Sequence, residues 1–151
     1  MTDSITPADL VAQAREAARN AHAPYSGYGV GAALLMVDGS VITGCNFENA
    51  SYGLTLCAET VALGTANAQG RLRDIRAIGI IGGMRRPDGT ISGNDTCYPC
   101  GRCRQVINEA AELAGIDLPI HCGSGDGKQL ATYRISELLP HSFGPKDLGL
   151  A

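Results

Sequence analysis

Residues 97–107 read Cys97-Tyr98-Pro99-Cys100-Gly101-Arg102-Cys103-Arg104-Gln105-Val106-Ile107, and the apolar stripe of Val106, Ile107, Ala110, Leu113 and Ala114 carries on from them to Gly115. The stripe has the period of a helix lying on a core, with Pro99 near its start and Gly115 at its end. Cys100 and Cys103 therefore fall in its first turn, on one side, as a Cys-x-x-Cys half-site for zinc requires. Upstream, Leu56 to Ala68 has helical composition, ends in Gln69-Gly70, and carries Cys57 and Glu59 at its start. Thiolates at helix N-termini are stabilised by unpaired backbone donors and the positive end of the dipole, which lowers their pKa and favours metal binding.

Between these helices, Ile75 to Ile81 reads as a strand buried on both faces and Gly82 to Asp95 as a loop or ragged hairpin. Towards the N-terminus, Thr6 is a helix cap followed by Pro7 and Asp9, and Leu10, Ala14, Ala17, Ala18 and Ala21 share one face, so a helix is expected to about Ala21. Tyr28 to Val37 and Ser40 to Asn46 flank Asp38-Gly39 and form an expected hairpin. Beyond Gly115, Leu118 to Cys122 and Gln129 to Tyr133 are short strands, and Ile135 to Leu139 is a brief helix before Pro140. The order predicts an α/β fold with one mixed sheet of about five strands and helices on both faces. With 151 residues and neither repeat nor linker, residues 1–151 are expected to form a single domain.

Composition narrows the function. With 44% apolar and 18% charged residues, the chain is a globule rather than a disordered segment. A net charge of −3 and no basic run longer than Arg85-Arg86 argue against a nucleic-acid partner. No apolar run is long enough for a membrane span and nothing reads as a signal, so a cytoplasmic location without membrane contact is expected. In that setting the six cysteines are metal ligands, reactive thiols or small core residues rather than disulfides. Cys45 and Cys122 lie in strand-like runs and are expected in the core. His22, His121 and His141 stand alone and read as surface or satisfied side chains.

Three protein ligands leave zinc a fourth position for water, whose pKa falls toward ~7, and a carboxylate beside it can move protons without occupying the metal. Ligand-x-Glu followed by Pro-Cys-x-x-Cys marks zinc nucleobase deaminases, in which the glutamate is general acid and base. Here these stretches are Cys57-Ala58-Glu59 and Pro99-Cys100-Gly101-Arg102-Cys103. Another reading is a non-catalytic zinc module, in which Cys97 joins Cys57, Cys100 and Cys103 as a fourth sulfur. A redox pair would leave Glu59 idle, and a ferredoxin-type cluster lacks its Cys-Pro.

The chain resembles the homotetrameric zinc-dependent cytidine deaminases of pyrimidine salvage, in the cytidine/deoxycytidylate deaminase family. The resemblance runs through Pro24-Tyr25-Ser26, Val30-Gly31-Ala32-Ala33-Leu34, Gly44-Cys45-Asn46-Phe47-Glu48-Asn49-Ala50, both zinc motifs with Arg104-Gln105, Glu137-Leu138-Leu139-Pro140 and Phe143-Gly144-Pro145. It implies a three-layer α/β/α sandwich and hydrolytic deamination of cytidine and 2′-deoxycytidine to the uridines, with release of ammonia. One zinc per subunit would be held by Cys57, Cys100 and Cys103, with Glu59 carrying protons from water to cytosine N3 and then to the departing amine. The backbone around Ala58 and Pro99 would line the base pocket, and Tyr28 stands where the family stacks a phenylalanine on the base. Asn46 and Glu48 match the ribose-binding pair; two apart on an extended segment, they point the same way, and the competing reading is a solvated strand end. Tyr52 and Phe143 would reach a neighbouring subunit's site, although Phe143 could instead close its own core.

Two departures stand out. Thr60 replaces the arginine that often follows the catalytic glutamate, leaving helix amides, the Thr60 hydroxyl or Arg104 to offset thiolate charge. The segment from Arg85 to Cys97 is extended and brings a further cysteine close to the ligands. The runner-up activity is deamination of a modified cytosine nucleoside, such as a blasticidin-type antibiotic. Deamination of RNA or DNA is disfavoured by the acidic balance.

Overall fold

In the computed structural model, which describes residues 4–151, Thr6 and Asp9 close a reciprocal capping box. The Asp9 N–H donates to Thr6 Oγ1 at 3.1 Å and the Thr6 N–H to Asp9 Oδ2 at 2.9 Å. They start α1 (Pro7–Ala18), which ends before the expected Ala21. The reason is tertiary: the His22 N–H donates to the Asn46 carbonyl at 3.1 Å and the Glu48 N–H to the His22 carbonyl at 2.8 Å, pulling the chain out of the helix.

The sheet has the order β2-β1-β3-β4-β5. β1 (Tyr28–Met36) and β2 (Val41–Cys45) form the expected antiparallel hairpin, with Gly39 at φ +83 in the turn. β3 (Ile75–Met84) pairs antiparallel with β1 and parallel with β4 (Pro119–Ser124), and β5 (Leu130–Arg134) is antiparallel to β4. β3 thus continues three residues past Ile81, because Gly82, Gly83 and Met84 pair with Val30, Gly29 and Tyr28. Only the remainder of the expected loop is irregular. It folds back through bridges from Arg85 to Ile91 and from Thr96 to Ser124.

Alternating strand side chains build two cores. On one face, Leu10, Val11, Ala14 and Ala18 of α1 pack with Ala33, Ala77, Ile81 and Ile91. On the other, α2 (Ala58–Ala68), α3 (Gly101–Ala114) and the single turn α4 (Ile135–Leu138) contribute Ala62, Leu63, Ala66, Ile107, Ala110, Ala111 and Ile135. These cover Ala32, Leu34, Met36, Ile78, Ile80, Ile120 and Cys122. The result is the expected three-layer α/β/α sandwich. The helices come close because two strand positions lack side chains. A Cβ at Gly31 would land on the Ala14 carbonyl, and one at Gly44 would lie 2.6 Å from the Ala62 nitrogen. Buried Leu and Ile side chains contribute ~1.5–3 kcal/mol each, so α2 and α3, with their N-terminal turns, are held firmly against the sheet.

Candidate metal centre and cleft

Cys57 is the N-cap of α2 and Cys100 the N-cap of α3, and neither sulfur caps its own helix. Cys103 follows one turn into α3 and is fully buried. With both helix N-termini brought together, the three Sγ atoms lie within 4.8 Å of one another, and Cys57 and Cys100 are 3.9 Å apart. Cys97 is not part of this cluster. Three soft sulfur donors gathered at two helix N-termini fit a thiophilic ion such as zinc. The Cys57 thiol is drawn down to about 6, chiefly by hydrogen bonding from Cys103 and with help from Cys100 and the Arg102 charge. The same pairing, and burial, push Cys103 up.

Glu59, in the first turn of α2, is only 3% exposed. Its Oε2 accepts from Cys103 Sγ at 3.4 Å, and burial raises its carboxyl above the ordinary glutamate range. The Thr60 hydroxyl lies 3.9 Å from Cys103 Sγ. Arg104 is committed elsewhere: its Nε donates to the Pro99 carbonyl at 2.8 Å and its NH1 nitrogen to the Leu138 carbonyl at 3.0 Å. Of the two side chains expected to offset thiolate charge, Thr60 is the one placed on a sulfur. Pro99 itself is buried, and its neighbours Tyr98 and Cys100 line the cleft together with Ala58.

Cys57 and Cys100 open on a cleft of about 420 Å³, with Cys103 buried beneath. Cys57, Ala58, Glu59 and Cys100 form its metal end, and Tyr28, Val30 and Asn46 come from the sheet. Thr55, Leu56, Thr96, Cys97 and Tyr98 complete the wall. Sequence reasoning did not single out Thr55, Leu56, Thr96 or Tyr98 as pocket residues; their adjacency to Cys57 and Cys100 is the signal that could have found them.

Asn46 is buried and already bonded. Its Oδ1 accepts from the Val30 N–H at 2.9 Å and its Nδ2 donates to the Tyr28 carbonyl at 2.8 Å. An amide has two donor hydrogens and two lone pairs, so one of each remains for a ligand. Glu48 does not share this cleft. It faces an adjoining hollow with Tyr25, Ser26, Tyr52 and Thr55, and only Thr55 borders both. Its carboxylate accepts from the Tyr25 and Ser26 N–H groups at 3.0 and 3.2 Å and from the Ser26 hydroxyl, which holds it below the usual carboxylate range, the hydroxyl most of all. Between them Phe47, just beyond the end of β2 at Cys45, bridges both His22 and Leu56.

Tyr52 and Phe143 stay out of the cleft of their own chain, with 73% and 62% of their surface exposed. Phe143 therefore does not close its own core. Its carbonyl accepts from Gln105 Nε2 at 2.8 Å, leaving the ring outside. Cys122 is in the core as expected, Cys45 is half-buried, and the buried His121 has its Nδ1 2.8 Å from the Thr132 hydroxyl.

Residues 5–114 match the family described as the cytidine and deoxycytidylate deaminase zinc-binding region. The chain belongs to this family. It is 45% identical over 139 residues to a cytidine deaminase of Halalkalibacterium halodurans, covering 92% of this chain and 95% of that one. A Mycobacterium tuberculosis cytidine deaminase is 41% identical over 141 residues, covering 92% and 90%. Among solved structures, a cytidine deaminase from Burkholderia pseudomallei superposes with a TM-score of 0.75 at 38% identity, covering 89% of this chain and 96% of that chain. The chain is thus a zinc-binding deaminase, a hydrolase by family, and its cysteine trio suits the metal for which the family region is described.

Proposed function

We propose that this deaminase hydrolyses cytidine and 2′-deoxycytidine to uridine and 2′-deoxyuridine, with zinc held by Cys57, Cys100 and Cys103. The observation that carries the reading is the buried Glu59 carboxyl on the cleft wall, 3.4 Å from Cys103 Sγ. Zinc, when bound, supplies Lewis acidity that brings the pKa of water toward neutrality. Glu59 does the proton work: it takes a proton from the attacking water as the C4–O bond forms and passes it to cytosine N3, then takes the proton of the new C4 hydroxyl and delivers it to the amine, which leaves as ammonia as the C4–N bond breaks and the C4 carbonyl forms. A carboxyl raised by burial suits both directions of transfer. Tyr28 offers an aromatic wall to the base, the Ala58 backbone lines the pocket, and Asn46 presents its spare donor and acceptor to the ribose. Glu48 serves the ribose from the adjoining hollow.

The exposed Tyr52 and Phe143 rings suit a homotetramer in which each reaches a neighbouring subunit's site. Six free thiols suit a reducing compartment, hence cytoplasmic pyrimidine salvage by a single domain spanning residues 1–151. Zinc-loaded protein incubated with cytidine should release uridine and ammonia in equal amounts. Absence of both, with zinc present, would refute the reading.

A further inference from the structure

Cys97 lies outside the sulfur trio yet on the cleft wall, and its surroundings fasten it in place. Its N–H donates to the Gly123 carbonyl at 3.0 Å, and the neighbouring Thr96 bridges Ser124, so the residue is tied to the end of β4. Its thiol sits over Gly82 of β3. A Cβ there would lie 2.7 Å from Cys97 Sγ, 3.0 Å from Tyr28 Cε1 and 3.1 Å from the Tyr28 hydroxyl oxygen. Close-packed interiors leave no room for a carbon at such separations. The bare glycine is therefore a notch shared by thiol and phenol. Register explains how the ring gets there: Tyr28 pairs with Met84, so Gly82, two residues back on β3, is its diagonal neighbour on the same face. The pair is partly withdrawn from water. Burial, then the charge of Cys97, pushes the Tyr28 phenol up to about 12, and burial pushes the Cys97 thiol up to about 11.

We infer that Cys97, tied to β4 and seated with Tyr28 over Gly82, is a positioning residue that fixes the angle at which the Tyr28 ring meets the substrate base. The inference rests on the reading of Tyr28 as the aromatic wall of the base pocket. A polarizable sulfur packs well against a ring edge, whereas the methyl group of alanine leaves a gap into which the ring can turn. Cys97 acts only through Tyr28, so its effect falls on substrate binding and spares the proton transfers at Glu59.

A double-mutant cycle on the zinc-loaded protein tests this. Cys97→Ala should raise KM for cytidine about fivefold, the effect of losing ~1 kcal/mol of binding, with kcat within about twofold. Cys97→Ser, nearly the same size, should restore most of the affinity. In a Tyr28→Ala background, Cys97→Ala should have no further effect on KM. An unchanged KM for Cys97→Ala alone, or an equal rise in both backgrounds, would overturn the positioning role. If Tyr28→Ala itself leaves KM unchanged, the reading of Tyr28 as the base wall fails as well, which separates the two failures. A second measurement needs no turnover: iodoacetamide labelling of Cys97, followed by peptide mass mapping, should accelerate when Tyr28→Ala uncovers the thiol. An unchanged labelling rate would show that the ring does not rest on the thiol and would overturn the inference.

Discussion

Asn46 and Glu48 differ in how much of their hydrogen-bonding capacity the fold uses, and that difference separates their contributions. Asn46 joins β1 to the cleft through Val30 and Tyr28, so its removal would disturb the strand as well as the ligand. Glu48 holds the turn at Tyr25 and Ser26 from a half-buried position outside both cores. Because Glu48 belongs to neither core, Glu48→Ala should leave zinc content and the packed frame intact, loosening only the Tyr25–Ser26 turn, while raising KM for cytidine about tenfold, the scale of one charge-assisted hydrogen bond. The same change should matter far less for a nucleoside whose sugar is replaced. Steady-state kinetics on both substrates check this, and equal effects would remove Glu48 from ribose recognition.

Secondary elements meet here through positions that lack side chains. Gly31→Ala would drive a methyl group into the Ala14 carbonyl and lift α1 from the sheet. It should destabilise the protein by about 3 kcal/mol, read as a lower denaturant midpoint; an unchanged midpoint would contradict the packing described. In the β1–β2 hairpin, bonds from Ser40 and then Arg71 hold Asp38 well below its ordinary 3.8, at about 2. A depressed carboxyl stabilises the fold above its unfolded pKa and loses that contribution as pH falls through the folded one. Asp38→Asn should therefore be less stable than wild type above pH 3.8, with the gap closing toward pH 2 in a pH series of denaturation curves. Much at this scale was legible in the sequence. The capping box at Thr6, the Asp38-Gly39 turn and cysteines at two helix starts announce themselves through local chemistry. The end of β3 does not: Gly82 and Gly83 offer no apolar alternation, and they are strand only because β1, far upstream, pairs with them. The Tyr28–Cys97 neighbourhood was illegible for the same reason, since it depends on strand register. That Glu48 and Asn46 border different hollows was illegible too, since it depends on which residues line each one.

The whole molecule combines a three-layer frame with a cleft whose expected outer contacts, Tyr52 and Phe143, are exposed and lie outside its lining. Light scattering should give a mass four times the 15.7 kDa chain. Phe143→Ala should raise KM even though Phe143 does not line its own cleft; a monomer of full activity would contradict shared sites. At the centre stands Glu59, buried beside three thiols on two helix starts. The most direct test compares wild type with Glu59→Gln at equal zinc content, following the cytosine absorbance band of cytidine. The proton-transfer role predicts that the band decays with wild type, while the variant keeps its metal and fold but slows by about 10³-fold or more. Comparable decay with both proteins would contradict it.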